Sequence, residues 1–465
     1  MKIVDLISTI KIKKLSLSKN LQVRINKSFE EKKSIKNVLT IYKLTKVFNL
    51  PTLAQETLHC VESCFTILVE TQNFLQLDYT LAAKILHSSD LHITSELEVF
   101  NSANLWLNYN FGERKKYAKD LLKTVRLSLL SDHSLKYILK ESSSFAKIED
   151  CVTVLKKILK NKENLIETNS SLFCTHRYCR HNKFNLIVCG GRNKTGSCLK
   201  ALSDVNQIDV SNFKTTKALP SMIGGRTCSK AICLKGEVYV FGGYGEDKKL
   251  DMSVERYSIL TKTWKKVGHM YDNRDGYCFC AFMDSFFIFG GSYSNSNYTD
   301  SCLQFHTKDC NWKQVARMNE VKTFAACTVF EGRIVVSGGQ NGYGLIKTVE
   351  SYDVVGGRQW LPMPNMINGR RLHKLVVVRN KLFVIGSHRT GCEVFDNKIK
   401  KFVVLKPPDF NIQNLNKLIP IGNNFFDVYD GGKMVLCYDV DKNKWSRKYL
   451  KYNLVRLSCV KIPWY

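Results

Sequence analysis

The chain has 465 residues, 44% hydrophobic and 24% charged, the balance of a globular protein with room for two or three domains and not of a disordered or fibrous one. Its formal net charge of +29 is the one oddity, but the lysines are scattered without the clustered stripe that phosphate tracking needs, so no nucleic-acid partner is expected. No run of about 18 apolar residues suggests a membrane span, lysines break the apolar start MKIVDLISTIKIKKLSL, and the 17 cysteines read as reduced core thiols of a cytoplasmic chain with no membrane partner.

Residues 1–36 hold ten Lys and Arg and read as a basic tail. Residues 37–165 have helical texture: NVLTIYKLTKVFNL, AQETLHCVESCFTILVETQNFLQL and DLLKTVRLSLLSDHSLKYIL carry apolar residues at three-and-four spacing. Ser95 with Glu98 predicts a capping box at a helix start. Residues 166–183 read as a linker. Within it, CTHRYCRH offers Cys174, His176, Cys179 and His181, side chains that zinc takes. The spacing is not a standard one and alternate residues of an extended strand face opposite ways, so neither a metal nor a cofactor is expected.

From residue 184 the sequence repeats. Gly242-Gly243 recurs as Gly290-Gly291, Gly338-Gly339 and, damaged, Gly386-Ser387 at intervals of 48, with Gly190-Gly191 lying 52 earlier. Met222, Met270, Met318 and Met366 keep the interval of 48, as do Arg226, Arg274, Lys322 and Arg370, and Trp264, Trp312 and Trp360. Two apolar runs flank Lys235-Gly236, with Asp284-Ser285, Glu331-Gly332 and Arg379-Asn380 as the equivalent turn pairs, which predicts a hairpin in each unit. A polar loop, a third run (VERYSI, CLQFHT, VESYDV) and a fourth around the Trp follow. Four short antiparallel strands make one propeller blade. Paired glycines permit positive φ and close backbone approach, and the Tyr and Trp supply the area that packs blade on blade.

The period and motifs resemble kelch repeats. Five dyad units, a sixth in NNFFDVYDGGKMVLCYDVDKNKW and a closing strand at 453–462 predict a six-bladed kelch β-propeller over 184–465. The family pattern lacks a Trp near Phe213, has Phe402 in a Trp place and lacks a well-placed dyad before Trp445. Upstream, KILHSSDLHITSELEVFNSANLWL followed by DLLKTVRLSLLS resembles the BACK domain, so the chain is similar to the BTB-BACK-Kelch proteins, with an all-helical BACK-like domain at 37–165. The BTB domain of that family needs roughly a hundred residues, a normal domain size, so 1–36 is a tail or a BTB remnant.

The resemblance implies a non-enzymatic adaptor that holds a protein substrate on the propeller for a cullin-3 ubiquitin ligase. In that family the BTB makes most of the cullin contact and the dimer, which weakens both expectations here. Actin binding, also found among kelch proteins, and a decoy role against full-length relatives stay open. No H-E-x-x-H, G-x-S-x-G or phosphate-binding glycine loop followed by Lys-Ser/Thr occurs, so catalysis is not expected. The loops after the dyads differ completely, and exposed loops on a rigid scaffold carry binding. Arg192, Asn193, Tyr244, Asp247, Lys248, Tyr293, Asn295, Tyr298, Gln340, Asn341 and Tyr343 are the candidate contact residues. Arg226, Arg274, Lys322 and Arg370 form a basic ring, either facing a central cavity or holding strand ends, with the second favoured because a residue kept in every unit serves the unit. The net positive charge favours an acidic or short peptide target.

Overall fold

The structure is a computed structural model, and it describes residues 37–47, 49–93, 95–130, 132–139, 143–167, 184–195, 198–209, 216–246, 249–259, 261–293, 297–355, 359–378, 381–386, 391–406, 418–421, 424–428, 434–449 and 458–463. The basic stretch 1–36 and Cys174, His176, Cys179 and His181 lie outside the described residues. The chain divides into two compact units, one ending at Val61 and one beginning at Glu62.

The first unit holds helix Val38–Val47 and most of helix Pro51–Ser63. Val38, Leu39, Ile41 and Tyr42 lie on one buried face of the former, as three-and-four spacing dictates.

The second unit opens with short helices and then helix Tyr79–His87, whose N-cap Asp78 accepts the Leu81 N–H at 2.9 Å. Helix Glu96–Tyr109 buries Leu97, Phe100, Ala103, Trp106 and Leu107. Its Ser95 cap accepts from Leu97 N–H at 3.2 Å, while the Glu98 N–H goes to the Ser95 carbonyl. The Trp106 indole donates to the Leu77 carbonyl at 2.9 Å and the Arg114 guanidinium lies over its ring at 3.9 Å, so a large apolar body keeps its one polar atom satisfied. Helix Glu149–Glu167 completes the helical part.

Six four-stranded antiparallel sheets follow. From innermost strand outward, blade 2 is Lys230–Leu234, Glu237–Phe241, Ser253–Ser258 and Thr263–His269. Blade 3 is Cys278–Phe282, Ser285–Phe289, Cys302–His306 and Trp312–Val315. Blade 4 is Ala326–Phe330, Arg333–Ser337, Val349–Tyr352 and Trp360–Met363. Blade 5 is Lys374–Val378, Lys381–Ile385, Cys392–Asp396 and Lys401–Leu405, and blade 6 is Leu418–Ile421, Asn424–Val428, Met434–Asp439 and Lys444–Tyr449. Blade 1 takes Ser458–Pro463 as its innermost strand, paired antiparallel with Phe184–Cys189 from Phe184↔Pro463 to Cys189↔Ser458, and Val205–Asp209 and Thr216–Leu219 outside it. The helical region followed by a six-bladed β-propeller is the expected fold, the helices from apolar spacing and the BACK resemblance and the blades from the repeat.

Blades cohere through two recurrent contacts. Within each blade from the second to the sixth an aromatic residue of the third strand meets one of the outer strand: Tyr257–Trp264 at 5.2 Å, Phe305–Trp312 at 5.0 Å, Tyr352–Trp360 at 5.1 Å, Phe395–Phe402 at 5.1 Å and Tyr438–Trp445 at 4.8 Å between ring centroids. Each indole then donates to a carbonyl of the preceding blade: Trp264 to Pro220 at 2.7 Å, Trp312 to His269 at 2.7 Å, Trp360 to Ala316 at 2.8 Å and Trp445 to Lys406 at 3.1 Å. Phe402 has no donor to offer. Apolar side chains of facing sheets fill the wedges, as where Tyr239, Phe241 and Met270 meet Phe286, Ile288 and Phe305.

The hairpin turns between first and second strands fall at Lys235-Gly236, Met283-Asp284 and Glu331-Gly332, with Leu234↔Glu237, Phe282↔Ser285 and Phe330↔Arg333 as closing pairs. In blade 3 the turn lies one residue earlier than the Asp284-Ser285 read from composition. Met283 adopts φ 54° there, because cross-strand register and not turn chemistry sets its place. This end of the ring meets the helices: Lys235 Nζ pairs with Glu70 and, at 2.5 Å, with Asp284, and a β-carbon on Gly236 would lie 2.9 Å from Ile67.

Candidate protein-binding face

The other end of the ring carries two sets of loops, those from second to third strand and those from each outer strand into the next blade. One buried cation per blade organises it in blades 2 to 5. Arg226, Arg274, Lys322 and Arg370 are each 2% exposed or less. Arg226 Nη1 donates to the Gly242 and Ser253 carbonyls at 3.4 and 3.2 Å, Arg274 Nη1 to Gly290 and Ser301 at 3.1 and 3.0 Å, and Arg370 Nη1 to Gly386 and Gly391 at 3.1 and 2.9 Å. These carbonyls bracket the loop between second and third strands, so each guanidinium pins both its ends.

A carboxylate meets each charge. Glu255 and, at 3.0 Å, Asp251 hold Arg226; Glu350 and Glu320 hold Lys322 at 3.5 and 3.1 Å; Glu393 holds Arg370. The third-strand glutamates also accept backbone N–H groups of the incoming loops, Ile223 at 2.8 Å and Gly224 at 3.1 Å on Glu255, Asn319 at 3.0 Å on Glu350, and Ile367 at 2.9 Å on Glu393. In blade 3 Leu303 stands in the glutamate's place. Asp272 of the incoming loop replaces it, bonded to Arg274 Nε at 2.7 Å and Nη2 at 2.5 Å, with the Tyr293 hydroxyl 3.0 Å from Nη2. A buried charge is tolerated only when paired and hydrogen-bonded in this way.

The glycine dyads let this end close. Gly291 N–H donates to the Lys322 carbonyl at 2.8 Å and Gly339 N–H to that of Arg370 at 2.8 Å, which ties each blade to the next cation's backbone. Gly339 has φ 102°, and a β-carbon there would stand 2.7 Å from the Thr323 carbonyl oxygen.

Two residues after each cation, Cys228, Gly276, Phe324 and Leu372 take left-handed φ of 58°, 65°, 55° and 58° around the mouth of the ring. Phe324 N–H donates to the Gly276 carbonyl at 2.6 Å and Leu372 N–H to that of Phe324 at 2.9 Å. A cavity of about 230 Å³ lies there, lined by Tyr244, Met270, Arg274, Tyr277, Phe324 and Leu372 among others. His373 on its wall is 1% exposed, its Nε2 lies 2.8 Å from Ser337 Oγ and its Nδ1 has no partner among the described residues. Burial first, then Arg370 and Lys374, holds its pKa well below the usual 6.5, so it is neutral. Burial likewise pushes the Cys278, Cys302 and Cys327 thiols well above their ordinary value, which leaves them inert as nucleophiles. Among the described residues no group of three or more His, Cys, Asp or Glu is placed to hold a metal ion. The arrangement offers shape, apolar area and hydrogen bonds.

Of the contact residues expected from sequence, Tyr343 is fully exposed at the tip of a two-stranded hairpin in which Gln340 pairs with Leu345. Asn341 holds that hairpin by donating to Glu320 at 3.1 Å, and Gln340 accepts from Arg371. Tyr293 is exposed but tied to Asp272 at 3.1 Å. Tyr244 is half-buried, 3.4 Å from Asp275, and Tyr298 is half-buried in a bridge to Ser292. Arg192 and Asn193 lie in strand Arg192–Thr195, paired with Ala201 and Lys200. Asp247, Lys248 and Asn295 lie outside the described residues. Sequence reasoning missed Ile223, Tyr271, Ile367 and Leu372, all exposed on the incoming loops or mouth. Three of them follow a repeated methionine, which was the available signal.

Comparison with known proteins agrees with this architecture. Residues 38–140 match the family model described as "BTB And C-terminal Kelch" (BACK), and residues 175–387 match the "KLHDC2/KLHL20/DRC7 Kelch-repeats domain". Kelch-like protein 25 of Xenopus tropicalis is 24% identical over 421 residues, covering 89% of this chain and 56% of that protein. Kelch repeat and BTB domain-containing protein 3 of Homo sapiens is 22% identical over 374 residues, 79% of this chain and 53% of that protein. Kelch-like protein 38 of Danio rerio is 20% identical over 450 residues, 90% and 74% of the two chains. The chain thus spans about half the length of the first two of these relatives. Among the described residues no helix is long and apolar enough to cross a membrane.

Proposed function

From its BACK and Kelch-repeat regions, which make this chain a kelch-like protein of the BTB-BACK-Kelch family, we propose that it is a target-recognition adaptor: the propeller binds a protein and presents it to a cullin-3 ubiquitin ligase. The observation that supports this reading is the loop-bearing end of the ring. Its backbone is pinned by buried cations and glycine contacts while Ile223, Tyr271, Tyr343 and Ile367 project into solvent. Exposed apolar side chains on a rigid frame are the material of an interface. The helical segment holding Ile67 and Glu70 meets the ring at the opposite, hairpin end, through Lys235 and Gly236. Buried thiols such as those of Cys278 and Cys302 suit a reducing, cytoplasmic setting.

The test is capture from cells with the wild-type chain and with a Tyr343→Ser/Ile367→Ser variant, followed by ubiquitination of the captured protein. A protein held only by the wild type and modified in a cullin-3-dependent way is the expected result. Co-sedimentation with actin filaments at physiological salt without cullin association would replace the adaptor reading with a cytoskeletal one.

A further inference from the structure

Composition and structure disagree about what the loop end of the propeller should bind. The net charge of +29 favours an acidic target, yet the four repeated cations are closed inside the ring against Glu255, Asp272, Glu320, Glu350 and Glu393. Buried, paired charges project little field to a ligand. The cavity at the mouth is lined by Lys230, Arg274 and Lys374 against Asp251, Asp272 and Asp275, so its three cations meet three anions and the wall is neutral in sum. His373, held uncharged by burial, adds nothing to either side.

Alongside cations such as Arg317 and Arg371, this end exposes apolar side chains. Ile223 is 63% exposed, Tyr271 51%, Ile367 46% and Leu372 56%, while Tyr343 is 101% and Leu345 56% on the projecting hairpin. The incoming loops are fixed by Glu255 and Glu393, and the hairpin by Asn341 on Glu320, so these side chains stand on ordered backbone. Ordered aromatic and aliphatic anchors are the residues that carry interface energy, because little freedom is lost when they are covered. The cavity of about 230 Å³ lies below the roughly 300–1,000 Å³ of small-molecule sites and has room for one side chain.

We infer that the loop end of this propeller takes an extended, near-neutral segment of another protein through aromatic or aliphatic side chains, one of them seated in the cavity between Phe324, Tyr277 and Leu372, and that it does not select acidic segments. The inference rests on the proposed adaptor role and supplies the chemistry of the partner.

The experiment pans a displayed library of random short peptides on the full chain, then measures the enriched sequences as labelled synthetic peptides. Peptides rich in aromatic or aliphatic residues with net charge near zero are expected. Their affinity should fall at least tenfold in the Tyr343→Ser/Ile367→Ser and Leu372→Ser variants, the size of an interface hot spot. It should change less than about twofold as salt rises from about 50 to about 500 mM. Matching melting curves of the variants exclude misfolding as the cause. Enrichment of acidic peptides whose binding collapses with salt and is lost in Lys230→Ala/Arg371→Ala would overturn the inference and leave the adaptor role standing. Enriched peptides indifferent to every one of these substitutions would overturn both.

Discussion

Asp272 lies 2.5 Å from Arg274, in the role that glutamates of the third strand fill for the other three repeated cations. Blade 3, with Leu303 in the glutamate's place, takes its carboxylate from the incoming loop, so the cation is neutralised there by a different partner. Arg370→Leu, which leaves Glu393 buried and unpaired at 1% exposure, is expected to cost about 3–5 kcal/mol. Arg370→Leu/Glu393→Leu should recover more than half of that in denaturant titrations. Equal losses in the single and double variants would show that the carboxylate was never the problem.

The indole of Trp264 gives a second, smaller test. Trp264→Phe gives blade 2 the outer-strand residue that blade 5 already has in Phe402, keeping a ring against Tyr257 while removing the donor to the Pro220 carbonyl. A loss of about 0.5–1.5 kcal/mol is expected, the net worth of one hydrogen bond. A neutral result by thermal and chemical unfolding would mean that ring packing alone joins the blades.

Stability should fall with pH through His373. Its folded pKa is depressed below 6.5, so as pH falls past that value the unfolded chain takes up the proton first. The contribution is present above about pH 6.5 and is lost as pH falls toward the folded value. Wild type should therefore melt lower at about pH 5.5 than at about pH 7.5, and the gap should narrow in His373→Gln. Comparing the two proteins isolates this group from the other histidines, and an unchanged gap would remove His373 from the account.

Seating of the helices on the hairpin end is testable at one turn. Gly236 has φ 74° and no room for a β-carbon beside Ile67, so Gly236→Ala should destabilise through both backbone strain and contact. Ile67→Ala should restore only the contact part. Lys235→Ala, whose partners Glu70 and Asp284 are largely exposed, should cost under about 1 kcal/mol and less still at high salt. Limited proteolysis of the segment between helices and propeller reads both.

Much of this architecture was legible because a repeat prints its geometry at fixed intervals. Gly290-Gly291, Trp312 and Arg274 each serve a contact that recurs in several blades, and the interval of 48 exposes them without a structure. What escaped was non-local. Nothing near Arg226 in sequence says that Glu255 lies on its guanidinium, so the pairing of the repeated cations is read only from the structure. Met283 was missed as a turn residue because side-chain preference points to Asp284-Ser285, whereas pairing of Phe282 with Ser285 fixes the register. Ile223, Tyr271 and Ile367 could be counted as followers of a methionine, but only topology brings their loops to the same end as Tyr343.

The pairing of Phe184–Cys189 with Ser458–Pro463 also orders events in time. A ribosome delivers the second strand of blade 1 long before its innermost neighbour, so that edge waits with its hydrogen-bonding groups unmet while five further sheets are made. Throughout that interval the nascent chain carries a template for stray strand addition.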